Sequence, residues 1–151
     1  MSFSAVHSLD GLPELVATTR AAGTPVDLQV HVAEGARLGD RLGPIAQLAA
    51  YRIVQESLAN ANRHVPGAAV TVEVDDRPRE AVTVTVTNGP SAAGTGGRRG
   101  FGLVGMRERA DLVGATLAYG PTPDGGWRVQ VVVPRDVGAA GLRPQQEEVA
   151  R

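Results

Sequence analysis

Residues 44–65 read PIAQLAAYRIVQESLANANRHV, and this stretch decides the fold. At 100° per residue it forms an apolar face, which predicts a helix packed on a core. That face consists of Val54, Leu58, Ala61 and Val65. On the opposite side, Glu56, Asn60 and Arg63 follow one another at spacings of four and three residues, which places them together on a helix. The stretch therefore predicts a long surface helix with one core face and one polar face.

The segments around this helix alternate between strands and helices. Period-two alternation of apolar residues predicts strands; these cover 26–32, 70–74, 82–86, 115–119 and 127–133. Helical periodicity predicts two further helices, over 9–22 and 101–114, and the glycine-rich segments 34–43 and 88–100 are predicted loops. This order predicts an α/β (α+β) two-layer sandwich, in which about three helices cover one face of a mixed sheet of about five strands.

The same pattern divides the chain into three parts. Residues 1–25 are predicted to be a linker with a short helix, and 26–134 the folded domain. Periodicity is lost after Pro134, so the tail 135–151 is expected to be disordered.

Composition excludes several classes of protein. The chain has 151 residues, 42% of them hydrophobic, and a net charge of -1, which argues against a strongly cationic nucleic-acid binder. It has neither cysteine nor lysine, so thiol chemistry and the lysine-dependent phosphate-loop and protein-kinase sites are excluded. The sequence shows neither an apolar run long enough to cross a bilayer nor a leader-like start, and we expect a soluble, cytoplasmic domain.

Three segments carry residues suited to binding a phosphorylated ligand. On the long helix, the amide oxygen of Asn60 can ligate Mg²⁺, and Arg63 can neutralise phosphate oxygens. Asn88, at a strand end, can accept a hydrogen bond from an adenine amino group. Residues 100–106, GFGLVGM, place glycines before a helix, where backbone N–H groups can approach phosphates. Each has a simpler alternative: a solvated helix face, an Asn-Gly turn and a flexible hinge.

Together these segments resemble the ATP-binding domain of the histidine-kinase-like ATPases, the GHKL superfamily of sensor kinases, type II topoisomerases, Hsp90-type chaperones and mismatch-repair ATPases. Residues 51–64, YRIVQESLANANRH, are similar to the asparagine box of that superfamily. Residues 100–109, GFGLVGMRER, are similar to the second glycine box of a bacterial sensor-kinase subclass marked by GLxGMRER. The resemblance runs from about Val26 to Pro134 and implies the Bergerat fold.

The resemblance also implies a site for ATP and Mg²⁺. It gives catalytic roles to Glu56 and Asn60, with Asn60 as the metal ligand. The residues it places around ATP are Asn60, Arg63, His64, Asn88, Gly89, Gly100, Gly102, Leu103, Gly125 and Gly126.

Two positions depart from the family pattern. The first glycine box normally reads Asp-x-Gly-x-Gly, whereas residues 88–92 read NGPSA. The amide of Asn88 lacks the charge of aspartate, which predicts weaker nucleotide binding. Trp127 stands where a threonine is common after the closing glycine pair Gly125-Gly126, and it is expected to pack on the sheet.

The function implied is the catalytic domain of a two-component sensor histidine kinase. It would transfer the γ-phosphate of ATP to a histidine on a dimerisation domain absent from this chain, for relay to a response regulator with a helix-turn-helix output domain. His7, His31 and His64 lie at a short helix, on a strand and at a helix end, so none is a suitable phosphoacceptor. We expect this fragment to be monomeric and to touch neither nucleic acid nor membrane, even where the full-length protein is membrane-anchored.

Two alternatives stay open at this point. The altered first glycine box is also compatible with a non-catalytic nucleotide-binding or docking module of the same fold. The second alternative is a stand-alone anti-sigma-factor kinase that phosphorylates serine, although the GMRER string argues against it.

Overall fold

The computed structural model describes residues 7–90 and 103–135. Within these residues the helices are α1 (Leu12–Ala21), α2 (Pro44–His64) and α3 (Leu103–Leu112), and a 3-10 helix, Leu9–Gly11, precedes α1. The strands are β1 (Val26–Val32), β2 (Val70–Asp76), β3 (Ala81–Asn88), β4 (Thr116–Pro121) and β5 (Trp127–Pro134). No helix in the described ranges is both long and apolar enough to cross a membrane.

The described strands form one mixed sheet in the order β1-β2-β3-β5-β4. β1 and β2 are parallel, with Val26 opposite Val70, because α2 supplies the crossover that a parallel pair requires. The other pairs are antiparallel. In the β3–β5 pair, Asn88 lies opposite Trp127 at one end of the sheet. The predicted mixed sheet of about five strands is therefore confirmed.

One face of this sheet is apolar and the other is polar. The apolar face belongs to the core and carries Val70, Val72, Val74, Val82, Val84, Val86, Val129, Val131 and Val133. The alternate positions are polar and partly exposed, as where Gln130 Nε2 donates a hydrogen bond to Thr85 Oγ1 at 3.2 Å. Helices contribute their own buried stripes to the same core, among them Ile53 and Val54 of α2. The predicted two-layer architecture is confirmed.

Several predicted boundaries differ from the structure. The single helix predicted over 9–22 is divided into the 3-10 turn and α1, with the Ser8 side chain capping the turn by accepting from the Asp10 N–H at 3.2 Å. The described part of the helix predicted over 101–114 ends at Leu112, and β4 runs over Thr116–Pro121 rather than 115–119.

Strand β1 is less buried than its alternating sequence suggests. Val26 is buried, but Val30 is 38% exposed. The reason is position, because β1 lies at an edge of the described sheet with β2 as its only neighbour there.

Arg135 differs from the sequence-based prediction, which assigned it to a disordered tail. Its Nη1 lies 2.8 Å from Asp76 Oδ1, and the two side chains are only 5% and 4% exposed. Arg135 Nε donates to the carbonyl of Arg79 at 2.9 Å, and Asp76 Oδ2 accepts from the Gly39 N–H at 2.8 Å. This buried ion pair joins the loop before α2, the β2–β3 connection and the end of β5. The rest of the predicted tail, 136–151, lies outside the described residues.

Candidate nucleotide-binding site

The polar side chains Glu56, Asn60 and Arg63 of α2 lie together on one face, as their spacing predicted. Arg63 Nη2 donates to Asn60 Oδ1 at 2.9 Å and lies 4.0 Å from Glu56 Oε2. The side chains of Arg63 and Glu56 are 52% and 33% exposed, so the group is open to solvent. Ile53 and Ala49 beside it are buried and fix the helix against the core.

The chemistry of this group fits a magnesium ion that is shared with a phosphate ligand. The amide oxygen of Asn60 and the carboxylate of Glu56 are hard oxygen donors of the kind Mg²⁺ prefers. No group of three or more His, Cys, Asp or Glu side chains in the described residues could hold a metal ion alone. Mg²⁺ usually takes one or two protein ligands and completes its shell with waters and phosphate oxygens, so a partial protein ligand set is suitable.

The last turn of α2 adds positive charge beside these oxygens. Arg63 lies in that turn, where a cation interacts favourably with the helix dipole, and His64 follows it. His64 is four residues after Asn60 and therefore on the same helical face. The structure thus brings Glu56, Asn60, Arg63 and His64 into one region.

The predicted site residues at the sheet end also come together. Asn88 Nδ2 donates to the carbonyl of Gly89 at 2.9 Å, so a donor on a ligand would meet Oδ1 of this amide. The Gly89 N–H donates to the carbonyl of Ala69 at 3.0 Å, which ties this turn to the start of β2. A Cβ added to Gly126 would overlap the carbonyl oxygen of Asn88. The closing glycine pair therefore lies directly against the first glycine box.

A hydrogen-bonded turn holds the closing glycines in position. The Gly126 N–H donates to Thr122 Oγ1 at 2.9 Å, and the Thr122 N–H donates to the carbonyl of Gly126 at 3.0 Å. The hydroxyl of Thr122 donates to Asp124 and, with the Gly126 N–H, holds the pKa of that carboxyl below its usual value. Gly125 adopts a φ of 93°, a conformation that favours glycine.

The second glycine box lies only partly within the described residues. Gly100 and Gly102 are outside them. Leu103 is the first residue of α3, and its side chain is buried in the core. Its side chain therefore anchors α3, and a contact of Leu103 with ATP would have to use its backbone.

Helix α3 packs directly on the helix that carries Asn60. Ser57 Oγ donates to the carbonyl of Ile53 at 2.8 Å and lies 3.9 Å from the sulfur of the fully buried Met106. Because α3 follows the second glycine box in the sequence, this contact connects two of the three predicted ligand-binding segments.

Sequence reasoning missed an aromatic pair, Tyr119 and Trp127, at the same end of the sheet. Their rings are stacked, with centroids 6.1 Å apart and an interplanar angle of 26°. The guanidinium of Arg107, on α3, lies 5.7 Å from the centre of the Tyr119 ring. The alternation of β4 and β5 indicates which face these rings occupy, but their pairing depends on the register between the strands.

Comparison with known proteins identifies the family. Residues 45–137 match the family described as histidine kinase-, DNA gyrase B-, and HSP90-like ATPase. The signal transduction histidine-protein kinase/phosphatase DegS of Brevibacillus brevis is 29% identical over 105 residues, which are 69% of this chain and 26% of that protein. The methanol utilization control sensor protein MoxY of Paracoccus denitrificans is 37% identical over 83 residues, covering 52% of this chain and 19% of that protein.

Solved structures share the fold. The blue-light activated histidine kinase of Erythrobacter litoralis superposes with a TM-score of 0.60 at 19% identity, covering 82% of this chain and 44% of that one. This chain spans about a quarter or less of the length of the two sensor proteins above. The resemblance drawn from the asparagine and glycine boxes is confirmed: the chain belongs to the histidine kinase-, DNA gyrase B-, and HSP90-like ATPase family, as an ATP-binding domain of that family.

Proposed function

We propose that this domain is the catalytic part of a sensor histidine kinase. It binds Mg²⁺ and ATP between the polar face of α2 and the end of the sheet where β3 stops and β5 begins. It then presents the γ-phosphate to a histidine on a dimerisation domain outside this chain, from which a response regulator with a helix-turn-helix output domain receives it. The observation that carries the proposal is the grouping on one face of α2, where Arg63 donates a hydrogen bond to Asn60 and lies 4.0 Å from Glu56.

The polar face of α2 and the end of the sheet would bind different parts of Mg-ATP. Asn60 would hold the magnesium ion, which would neutralise phosphate charge when bound, and Glu56 would act beside it. Arg63 donates to phosphate oxygens from the adjacent turn, and its exposed guanidinium has the freedom to do so. Asn88 accepts a hydrogen bond from the adenine amino group. Catalysis by these residues is a matter of positioning and of charge neutralisation, as is usual for phosphoryl transfer.

The relatives support a histidine rather than a serine as the phosphate acceptor. DegS is named a histidine-protein kinase/phosphatase and MoxY a sensor protein. We extend the kinase activity, the partner domains and a cytoplasmic location to this chain as parts of the proposal.

Calorimetry of ATP binding with and without Mg²⁺ tests the site. We expect Asn60→Ala to weaken binding of Mg-ATP by about 10- to 100-fold, as loss of a metal-positioning group commonly does. Binding of ATP without Mg²⁺ should change much less. Asn62→Ala is the matched control, because Asn62 lies on another side of α2, where Oδ1 accepts from the Thr24 hydroxyl at 3.2 Å. Equal affinity of Asn60→Ala and wild type for Mg-ATP would remove Asn60 from the site.

Phosphotransfer is tested separately, by mixing the domain and radiolabelled ATP with the dimerisation fragment encoded in the same operon. Label on a histidine of that fragment is expected. Binding of ATP with no transfer to any partner histidine would contradict the kinase assignment while leaving the nucleotide site intact.

A non-catalytic module is the second candidate, and the neutral side chain at Asn88 favours it. Asn88→Asp places a carboxylate where the family usually has one. If the domain is a kinase with moderate affinity, this variant should bind ATP more tightly than wild type. Failure of the wild type to bind any adenine nucleotide at millimolar concentration would favour the docking module.

A further inference from the structure

Trp127 lies beside the residue to which we assign the adenine contact. It is directly opposite Asn88 in the antiparallel β3–β5 pair. Such pairs have Cβ atoms about 4.5–5.5 Å apart when both side chains point to the same face. Asn88 continues the buried row of β3 that includes Val86, and Trp127 begins the row of β5 that continues with Val129. Both side chains therefore point to the helix-covered face.

The core ends at this pair. Val86 and Val129 are buried, whereas Asn88 and Trp127 are half-buried. A half-buried amide and a half-buried indole at the end of an apolar layer form a surface that is flat, apolar and hydrogen-bonding at once. These are the properties that a purine base requires of its binding site.

Tyr119 contacts one face of the Trp127 indole. Tyr119 stacks on it at 6.1 Å, and Arg107 lies over the Tyr119 ring at 5.7 Å. Arg107 is itself fixed on the sheet, because its Nη1 donates to the carbonyl of Leu117 at 3.4 Å. Arg107, Tyr119 and Trp127 therefore form one continuous stack of side chains. The stack runs from α3 to Trp127, the residue opposite Asn88.

We propose that Trp127 is an adenine-binding residue, whose indole packs against the base that Asn88 hydrogen-bonds. This inference rests on the proposed function and adds to it a residue that contributes affinity for the base. Packing against an aromatic ring is insensitive to base identity, because every base has a π-face, whereas the hydrogen bond to Asn88 selects the amino group of adenine. Trp127 therefore supplies affinity, and Asn88 supplies discrimination.

The chain provides its own reporter, since Trp127 is its single tryptophan. Titration of the full chain with Mg-ATP should change the tryptophan emission, and the change should saturate with the dissociation constant measured by calorimetry. Inorganic tripolyphosphate, which has no base, should leave the emission unchanged.

Variants separate the two contributions. Trp127→Ala should weaken binding of ATP and of inosine triphosphate by the same factor, about 10-fold, and leave tripolyphosphate binding unchanged. Trp127→Phe keeps an aromatic ring and should retain most of the affinity. Asn88→Ala should weaken ATP binding but not inosine triphosphate binding, because inosine carries a carbonyl in place of the amino group.

The outcomes distinguish this inference from the proposed function. Calorimetric binding of ATP without a change in emission, or with unchanged or tighter affinity in Trp127→Ala, would overturn the role of Trp127 and leave the nucleotide site standing. Absence of nucleotide binding in the wild type would overturn both. If Trp127→Ala fails to fold, Trp127→Leu takes its place, and the wild-type emission remains decisive.

Discussion

Gly126 is in close contact with the backbone of Asn88, and this contact is possible because glycine has no Cβ. The carbonyl oxygen of Asn88 occupies the space that a Cβ of Gly126 would need. A side chain at this position must therefore displace the end of β3 or the start of β5. Since Asn88 carries the proposed adenine contact, the same displacement would move the binding residue.

We expect Gly126→Ala to lower the free energy of unfolding by about 2 kcal/mol or more, because overpacking against backbone cannot be relieved by a rotamer change. Gly120→Ala is the matched control in the same hairpin, since no atom lies within 4 Å of the position that its Cβ would take. That variant should stay within about 0.5 kcal/mol of wild type. Urea denaturation measures both, and equal losses would contradict the close approach of Gly126 to Asn88.

At the scale of single residues, the sequence predicted the group on α2 but not the contact at Gly126. Glu56, Asn60 and Arg63 are neighbours through helical spacing, which is a local property. The contact of Gly126 with Asn88 depends on the register of two strands that are far apart in the chain. Local periodicity contains no information about that register.

Helix α3 buries one stripe of side chains in the core. Leu103, Met106 and Ala110 are buried, whereas Val104 and Leu112 are 68% and 80% exposed. Met106 meets Ser57 of α2 through its sulfur, at 3.9 Å. This stripe determines where the helix that follows the second glycine box lies relative to Asn60.

Met106→Ala should therefore destabilise the domain by about 2–5 kcal/mol, the usual cost of truncating a fully buried methionine. Val104→Ala, on the exposed side of the same helix, should change stability by about 0.5 kcal/mol or less. Thermal unfolding followed by circular dichroism compares the two variants. Similar losses in both would show that α3 does not pack through the Met106 stripe.

At the scale of elements, periodicity predicted the helices and strands. It did not predict how exposed a strand is or where a helix is divided. The core face of α2 was correct because helical faces follow from spacing alone. The exposure of Val30 was missed, because alternation identifies a strand without showing whether it lies at an edge. The division before α1 was missed because a 3-10 turn and an α-helix share similar start signals.

At the scale of the whole molecule, the buried ion pair between Asp76 and Arg135 links segments that are distant in the sequence. The sequence alone assigned Arg135 to a tail that was expected to be disordered. Burial of the pair is tolerable because the backbone supplies further partners, including the Gly39 N–H for Asp76 and the Arg79 carbonyl for Arg135.

Arg135→Met should destabilise the domain by about 3–5 kcal/mol, because it leaves the Asp76 carboxylate buried without its counter-ion. The double variant Asp76→Leu with Arg135→Met should lose less than the sum of the two single variants, since it removes both charges. Chemical denaturation of the four proteins gives this comparison. Strictly additive losses would contradict a direct interaction between the two side chains.

The neighbouring pair Asp75–Arg77 is the control for that experiment. The Arg77 guanidinium donates to Asp75 at 2.8 Å and lowers the pKa of Asp75 to about 2. The folded-state pKa is below the ordinary value of 3.8, so the contribution of this carboxylate is present above pH 4 and is lost as the pH falls towards 2. Both side chains are partly exposed, and Arg77→Ala should therefore have little effect on stability at neutral pH.

The strand order also has a consequence for how the chain folds. β2 and β3 are joined by a short connection, so their pairing is local, whereas α2 separates β1 from β2 in the sequence. The β3–β5 pair is also non-local, because α3 and β4 lie between its strands in the sequence. Non-local pairings of this kind slow folding, since chain entropy is lost before the contacts form. Asn88 and Trp127 meet through one of these non-local pairings, so the nucleotide site we propose depends on assembly of the sheet rather than on any single local segment.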